Sequence, residues 1–328
     1  MKAVIVNEDK SLAWAEADTP SPRDNELLVR VDATAINRAD LMQRRGLYPP
    51  PPGASPVMGL ECAGEVVEVG SHCGRFKVGD QVCALLPGGG YAEYVTVDEG
   101  SALPIPEGLD AAAAAALPEV FATAWLNIFM EAALQPGEKV LVHAGASGVG
   151  TAAIQLCKAF GSPCFVTVGA APKLEACLQL GASAGSNRHE GSFLGKAREF
   201  AGESGIDVIL DPVGGAYLAD NLELLGLGGR LVLIGLMGGA VTEINLAQMM
   251  MKRARVIGST LRARPLAEKA AVMSQLEEKV WPRIRDGEIK PIIDKVFPIE
   301  QVEEAHALVA SDTTIGKVIL AVSPGGSS

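Results

Sequence analysis

Apolar and polar positions follow two different patterns along this chain of 328 residues. As far as about residue 118, short stretches alternate in part between apolar and polar positions. Glycine and proline separate them, which is typical of strands joined by turns. The predicted strands span 26–36, 61–69, 80–86 and 91–97. This first pattern predicts a compact, β-barrel-like domain.

The second pattern begins at an alanine run, 111–116, and alternates strands with helices as far as about residue 262. Such alternation predicts a doubly wound parallel sheet of the Rossmann type, with its ligand crevice at the carboxyl ends of the strands. The strands are predicted at 139–143, 163–168, 207–211, 230–235 and 256–259, and the clearest helices at 174–180 and 216–225.

Beyond this alternation, residues 265–284 are predicted to be helical, and 316–322 to form a last strand that rejoins the β-rich domain. The chain is therefore predicted to hold two domains of an α/β protein. A β-rich domain spans 1–118 and is completed by 263–328, and a nucleotide-binding domain spans 119–262.

A glycine-rich segment inside the second domain carries the clearest chemistry. An apolar run ends at His143, glycines follow at Gly145, Gly148 and Gly150, and apolar residues then recur at helical spacing. Glycines let the backbone approach a pyrophosphate, and the amino end of the new helix holds the phosphates. An ordinary strand-to-helix turn is the alternative, but the flanking strand and helix favour dinucleotide binding.

The end of the next strand indicates which dinucleotide binds. NAD-specific folds place an acidic residue there, bonded to the ribose 2′-OH. Residues 168–172, which include Gly169, contain no acidic residue, and Lys173 is the next residue in the sequence. A missing carboxylate beside a cation suits a 2′-phosphate, so the sequence predicts NADPH. The alternative for Lys173 is a solvated residue in the first turn of a helix.

Charge and composition exclude several classes of partner. The net charge is −11 and the pI is about 5.0, which argues against nucleic acids and anionic membranes. The sequence contains no unbroken run of 18 apolar residues, so no membrane span is predicted. The amino terminus lacks the apolar core of a signal peptide, so a cytoplasmic protein is expected. Six cysteines show no metal-ligand spacing and are expected to be reduced.

Short motifs occur along nearly the whole chain, at 35–40, 46–50, 59–66, 76–80, 234–239 and 315–318. Together they resemble the medium-chain dehydrogenase/reductases, and most closely their zinc-independent quinone oxidoreductase branch. The resemblance implies a GroES-like β-rich catalytic domain and a Rossmann domain that binds NADPH.

Two positions argue against zinc within this resemblance. Zinc-dependent relatives have a Cys where this chain has Asn37 and a His where it has Leu60, and neither replacement is a plausible zinc ligand. No cysteine lies between Cys83 and Cys157, where a structural zinc lobe would stand. Without a Lewis acid, alcohol oxidation is disfavoured. Quinones and conjugated carbonyls accept hydride without metal help.

The resemblance also implies a set of cofactor-binding residues. Those expected on the pyrophosphate are Ala146, Ser147, Gly148, Val149 and Gly150. Those expected around the 2′-phosphate are Gly169, Lys173, Asn187 and Arg188, and those bordering the nicotinamide are Tyr48, Val213, Gly235, Leu236 and Met237.

Two residues of the β-rich domain are candidates for catalysis. By resemblance, Tyr48 borders the nicotinamide and the substrate, and its hydroxyl can bond a carbonyl. Packing against the prolines that follow is the alternative. Asn37 occupies the vacated ligand position, where its amide can donate to cofactor or substrate. Its alternative is an Asn that bonds its own backbone in a turn.

Other polar or unusual residues are expected to be structural. Asp40 is predicted to cap a helix at 40–45, and Glu61 is not assigned an acid role. His143, at the end of a buried strand, is predicted to be a satisfied core residue. The three methionines at 249–251 are predicted to pack in the core.

The leading hypothesis is hydride transfer from NADPH to a quinone, with single-electron delivery left open. An enal, enone or enoyl-thioester reductase is the enzymatic alternative, and a weakly catalytic, crystallin-like NADPH-binding protein is another. An RNA-binding role conflicts with the acidic charge. Apolar strands late in the nucleotide fold, or the segment 237–245, are predicted to lie at a sheet edge and to pair in a homodimer.

Overall fold

A computed structural model describes residues 1–322. By its internal contacts the chain divides into two compact units, one formed by Met1–Ala122 with the segment from Leu261 onward, the other by Thr123–Thr260. The boundaries proposed from the sequence lie a few residues from these. Each unit is described by itself below.

Strands and helices alternate in the second unit, whereas strands dominate the first. Within residues 1–322 the strands are β1 Lys2–Val6, β2 Leu12–Glu16, β3 Glu26–Ile36, β4 Glu61–Val69, β5 Gln81–Leu85, β6 Tyr94–Asp98, β7 Ala102–Pro104, β8 Val140–Val142, β9 Cys164–Val168, β10 Ala184–Asn187, β11 Ile206–Asp211, β12 Leu225–Leu233, β13 Arg255–Gly258, β14 Ile293–Pro298 and β15 Lys317–Ala321. The α-helices are α1 Arg38–Arg44, α2 Ala111–Ala115, α3 Pro118–Trp125, α4 Gly148–Ala159, α5 Ala171–Leu180, α6 Leu194–Ala201, α7 Leu218–Leu224, α8 Leu246–Lys252, α9 Leu266–Lys279, α10 Trp281–Arg285 and α11 Val302–Ala310.

The first unit is built on a seven-stranded sheet in the order β14-β15-β3-β4-β5-β7, with β6 also paired to β3. Most of its pairs are antiparallel, and Leu27, Val29 and Val31 of β3 point into a fully buried apolar cluster. The last strand, β15, pairs with β3, which confirms the prediction that it rejoins the β-rich domain. The chain thus returns to the β-rich unit at its carboxyl end.

The second unit holds a six-stranded sheet in the order β10-β9-β8-β11-β12-β13, with every pair parallel. The order reverses beside β8, so the loop after β8 lies at the switch point where α/β sheets bind ligands. This confirms the predicted doubly wound fold. Strand β13 is the sheet edge, as predicted for the late apolar strands.

Several element boundaries differ from those predicted, for identifiable reasons. The helix expected at 265–284 is two helices, because Pro282, near the start of α10, has no N–H to donate to the preceding turn. The helix expected at 216–225 begins as a short 3₁₀ turn, Gly215–Tyr217. At its other end Leu225 already belongs to β12.

The predicted core packing of the three methionines is wrong. Met250 is 71% exposed and Met251 is 75% exposed, and only Met249 packs against the core of the second unit. A helix takes about 3.6 residues per turn, so a short helix over one sheet face can bury one of three consecutive side chains.

One helical stretch, Ala111–Glu131, has the length and hydropathy of a membrane span, and 78% of its apolar window is buried inside the protein. Glu119 and Asn127 interrupt its apolar sequence. Buried core helices of folded proteins can have the same length and hydropathy, so this stretch is weak evidence for a membrane span.

Candidate functional site

The glycine-rich loop joins β8 to α4, and packing requires two of its glycines. A Cβ at Gly145 would lie 2.7 Å from Val166, and one at Gly150 would lie 2.5 Å from the carbonyl oxygen of Ala144. Ser147 is the N-cap of α4, and its hydroxyl accepts the backbone N–H of Gly150 at 3.1 Å. The loop therefore ends at the amino terminus of a twelve-residue helix, where backbone N–H groups attract an anion.

The residues expected around a 2′-phosphate come from the ends of β9 and β10. Arg188 lies against Gly169, since a Cβ there would be 3.1 Å from the guanidinium. Lys173 stands in the first turn of α5, as the third residue of that helix. Asn187 is turned inward, and its amide bonds Glu190 and the backbone of His189. The structure thus brings Gly169 and Arg188 together and ties the Asn187 side chain to its own turn.

Four of the residues expected beside the nicotinamide, Val213 and 235–237, lie on two loops that hydrogen-bond to each other. The N–H of Met237 donates to the carbonyl of Pro212 at 3.2 Å, and that of Gly238 to the carbonyl of Val213 at 2.7 Å. A Cβ at Gly235 would meet the Pro212 carbonyl at 2.8 Å, so this contact requires glycine. The two loops follow β11 and β12, at the carboxyl end of the sheet.

A chain of buried polar side chains supports these loops from inside the second unit. His143 bonds Thr167 through Nδ1 at 2.9 Å and Asn221 through Nε2 at 2.8 Å. Asn221 donates in turn to Asp211, whose carboxylate also accepts the backbone N–H of Val213. Burial lowers the pKa of His143 to about 4. This residue is therefore a neutral, bonded core histidine, as predicted.

In the first unit, Asn37 belongs to a buried ionic cluster rather than to a simple turn. Its Oδ1 accepts from Lys317 Nζ at 2.6 Å, and its Nδ2 donates to Glu61 Oε1 at 2.9 Å. Lys317 and Glu61 form an ion pair at 2.8 Å, 3% and 0% exposed. The second Glu61 oxygen accepts the N–H of Glu119 at the start of α3. The amide of Asn37 is thus engaged within the protein, and the cation beside it is an ammonium.

Asp40 plays a different capping role from the one predicted. Asn37, not Asp40, is the N-cap of α1, and the Asp40 carboxylate accepts the N–H of Asn37 at 2.8 Å from inside the helix. It also accepts the N–H of Gly59 at 3.1 Å. Burial raises the pKa of Asp40 to about 6. Nearby, the buried hydroxyl of Tyr91 bonds His306 at 3.2 Å.

Tyr48 packs against a cation that the sequence did not single out. The Arg262 guanidinium lies over the Tyr48 ring, 5.2 Å from its centroid, and donates to the Tyr48 carbonyl at 3.3 Å. Burial raises the pKa of the Tyr48 hydroxyl, and the Arg262 charge lowers it. Tyr48 thus stands beside a positive charge.

The side chains that sequence reasoning missed are cations. Lys317 was visible only as part of a family motif, and Arg262 only as part of a short basic cluster at 252–264. Neither segment reveals that the side chain is buried. Within residues 1–322, no group of three or more His, Cys, Asp or Glu side chains is placed to hold a metal ion.

Two protein-family models match the chain. The alcohol dehydrogenase GroES-like domain matches residues 23–107, and the zinc-binding dehydrogenase domain matches residues 148–278. The human protein named quinone oxidoreductase is 33% identical over 303 residues, which cover 92% of this chain and 90% of that protein.

Solved structures show the same likeness. Quinone oxidoreductase from Thermus thermophilus, also solved with NADPH, has a TM-score of 0.82 and 32% identity, covering 98% of this chain and 100% of that one. The CurK enoyl reductase has a TM-score of 0.83 and 27% identity, covering 98% of both chains.

Proposed function

This chain belongs to the quinone oxidoreductases of the medium-chain dehydrogenase/reductase superfamily, and we propose that it reduces quinones with NADPH and without a metal ion. The observation that carries this proposal is the Ser147-capped loop at the amino end of α4. Two cations follow the neighbouring strands, Lys173 in the first turn of α5 and Arg188 directly after β10, and residues 168–172 hold no acid. Such an arrangement suits a dinucleotide with a 2′-phosphate.

The residues divide among the parts of the cofactor. Backbone N–H groups of Ala146, Gly148 and Val149 hold the pyrophosphate, whereas those of Ser147 and Gly150 bond within the loop. The Ser147 hydroxyl donates its hydrogen to the pyrophosphate. Lys173 and Arg188 bond the 2′-phosphate beside Gly169, with Asn187 shaping the turn. The loops that carry Val213 and Gly235–Met237 border the nicotinamide. Bound NADPH supplies a hydride, and with one proton from the protein or solvent a quinone becomes a hydroquinone.

The test is steady-state turnover of the full chain with NADPH and NADH across ortho- and para-quinones. We expect turnover with quinones and a preference for NADPH. A panel of 2-alkenals and enoyl thioesters runs in parallel, because the likeness to an enoyl reductase makes these the second candidate substrates. Turnover of alkenals alone would replace the quinone assignment. Binding of NADPH without turnover of any substrate would favour a weakly catalytic protein.

Metal independence gives a separate prediction. Asn37 and Leu60 stand where zinc-dependent relatives have ligands, and Lys317 already supplies a positive charge beside Asn37. Prolonged dialysis against a chelator should therefore leave quinone turnover unchanged, and elemental analysis should find zinc well below one atom per chain. Stoichiometric zinc whose removal abolishes activity would contradict this assignment.

We further propose a cytoplasmic homodimer that pairs through the edge of the Rossmann sheet. The chain between β12 and the edge strand β13 carries exposed apolar side chains, among which Val241 is 93% exposed and Leu246 is 68% exposed. Met250 and Met251, also exposed, add to them. An uncovered apolar surface of this kind is typical of a protein–protein interface. A second copy of the chain would cover it through a two-fold, self-complementary contact.

Val241→Pro should weaken this dimer, because proline removes a backbone donor from an edge segment. Sedimentation velocity at micromolar concentration should show a dimer for the wild-type chain and a lower apparent mass for the variant. Val78→Pro, at an exposed position of the first unit, is the matched control and should remain dimeric. A wild-type monomer of 34.1 kDa would rule the dimer out.

A further inference from the structure

One small pocket of the first unit has two buried cations in its wall. Arg262 is 6% exposed and Lys269, on α9, is 5% exposed. The pocket has room for about one water-sized atom. Apart from these cations its lining residues are Leu60, Leu85, Leu86, Leu261 and Glu119. It is thus mostly apolar and includes Leu60, the position of a zinc ligand in zinc-dependent relatives.

Neutral groups hold Arg262 in place. Its guanidinium donates to the carbonyl oxygens of Pro87 at 2.7 Å and Tyr48 at 3.3 Å, and to Gln43 Oε1 at 2.7 Å. A guanidinium has five N–H donors, so these bonds leave donors over. A buried charge is costly unless it is paired with an opposite charge. These hydrogen bonds therefore hold the Arg262 guanidinium in place, and none of the three partners carries a negative charge to balance it.

Lys269 adds a second positive charge to the same wall. Among the hydrogen bonds and ion pairs within residues 1–322, none ends on its ammonium, although the residue is nearly fully buried. Burial and the Arg262 charge lower the pKa of Lys269, and Asp98 acts in the opposite direction. Glu119 contributes one carboxylate to the pocket. Two cations against one anion leave the pocket with a net positive charge.

We propose that Arg262 and Lys269 form an oxyanion site, which receives the substrate oxygen on which negative charge develops during reduction. This assignment rests on the proposed quinone reduction. The pocket admits a single oxygen atom while the ring of the substrate remains outside it. Preorganised positive groups of this kind stabilise a transition state that carries negative charge.

The electron and proton balance is complete. The hydride leaves NADPH with two electrons and forms the first O–H bond at one carbonyl oxygen of the quinone, and the other carbonyl becomes a C–O⁻ group that lies between Arg262 and Lys269. A Lys269 N–H bond then breaks as the phenolic O–H bond forms. The neutral Lys269 amine regains its proton from water. The products are hydroquinone and NADP⁺, with one proton consumed from solvent.

The pocket can be tested without catalysis, by titrating 4-nitrophenol, whose phenolate absorbs visible light, in the presence of the full chain. Binding of the phenolate between two cations should lower the apparent pKa of the bound dye by about one unit or more. Arg262→Met and Lys269→Met should each abolish most of that shift. Lys279→Met, at an exposed position of the same helix, is the matched control and should retain it.

Quinone turnover by the same variants is the second test of the oxyanion site. Lys269→Met should lower kcat for quinones about 100-fold or more, the usual effect of losing one oxyanion donor. NADPH affinity, measured by fluorescence titration, should remain unchanged and thereby report a folded nucleotide-binding unit. Arg262→Lys and Lys269→Arg keep the charge and should recover part of kcat and of the dye shift if the parent substitutions act through charge.

The two proposals fail in different ways. A wild-type chain that shifts the dye but reduces no quinone would overturn the quinone assignment and keep the anion site. A wild-type chain that leaves the pKa of the bound dye unshifted, or a Lys269→Met variant that preserves both the shift and kcat, would overturn the oxyanion site.

Discussion

Lys317→Met is expected to lower the free energy of unfolding by about 3–5 kcal/mol, because it leaves the Glu61 carboxylate buried without its cation. Methionine preserves most of the apolar stem, so the loss reports the ammonium and its bonds to Glu61, Asn37 and the Ile36 carbonyl. Urea unfolding followed by tryptophan fluorescence measures it. Trp14 and Trp281 both lie in the first unit and report its unfolding.

The double variant Lys317→Met with Glu61→Gln separates charge from packing. Replacing both members of a buried ion pair is often close to neutral, whereas removing one is costly. We therefore expect the double variant to recover most of the lost stability. Lys279→Met, at an exposed position, is the control and should stay within about 0.5 kcal/mol of wild type. An equally unstable double variant would show that Lys317 acts through packing alone.

The second large effect is expected on cofactor choice. Lys173→Ala and Arg188→Ala should each raise the Michaelis constant for NADPH about tenfold or more, because a charge-assisted hydrogen bond contributes about 1.5–3 kcal/mol. Together they should raise it about 100-fold or more, if the two bonds contribute independently. NADH carries no 2′-phosphate, so its Michaelis constant should hardly change.

Initial rates with both cofactors measure this preference. Lys196→Ala, at an exposed position on α6, removes a positive charge from the same unit and serves as the control. It should leave both constants near their wild-type values. If Lys173→Ala and Arg188→Ala weakened NADPH and NADH equally, their role would be general electrostatic attraction, and the 2′-phosphate assignment would fail.

Local sequence was sufficient wherever a function depends on consecutive residues. The strand, loop and helix around Gly145, Ser147 and Gly150 lie within about 20 residues, and their glycine spacing was readable directly. The alternation of strands and helices likewise predicted the parallel sheet and its apolar edge. Boundaries were less accurate, because proline at position 282 and a short 3₁₀ turn at Gly215–Tyr217 changed them locally.

The environment of single side chains was not readable in the same way. The methionines at 249–251 have the composition of a core segment, yet two of them are exposed because a helix with about 3.6 residues per turn buries only one of the three against the core. Asn37 fits a turn residue by sequence, yet its amide bonds Glu61 and Lys317, the latter 280 positions away. Burial and distant partners depend on packing, which no window of the sequence contains.

By itself, therefore, the sequence determined the fold class, the family and the preference for a phosphorylated cofactor, and it predicted the candidate phosphate-binding loop, since each depends on residue type at short spacing. Only the tertiary structure decided where the buried charges meet. It placed Lys317 between Asn37 and Glu61, and it placed Arg262 and Lys269 in one pocket wall. The physical reason is that a charge acts through its distance to other charges and its exclusion from water, and folding alone sets both.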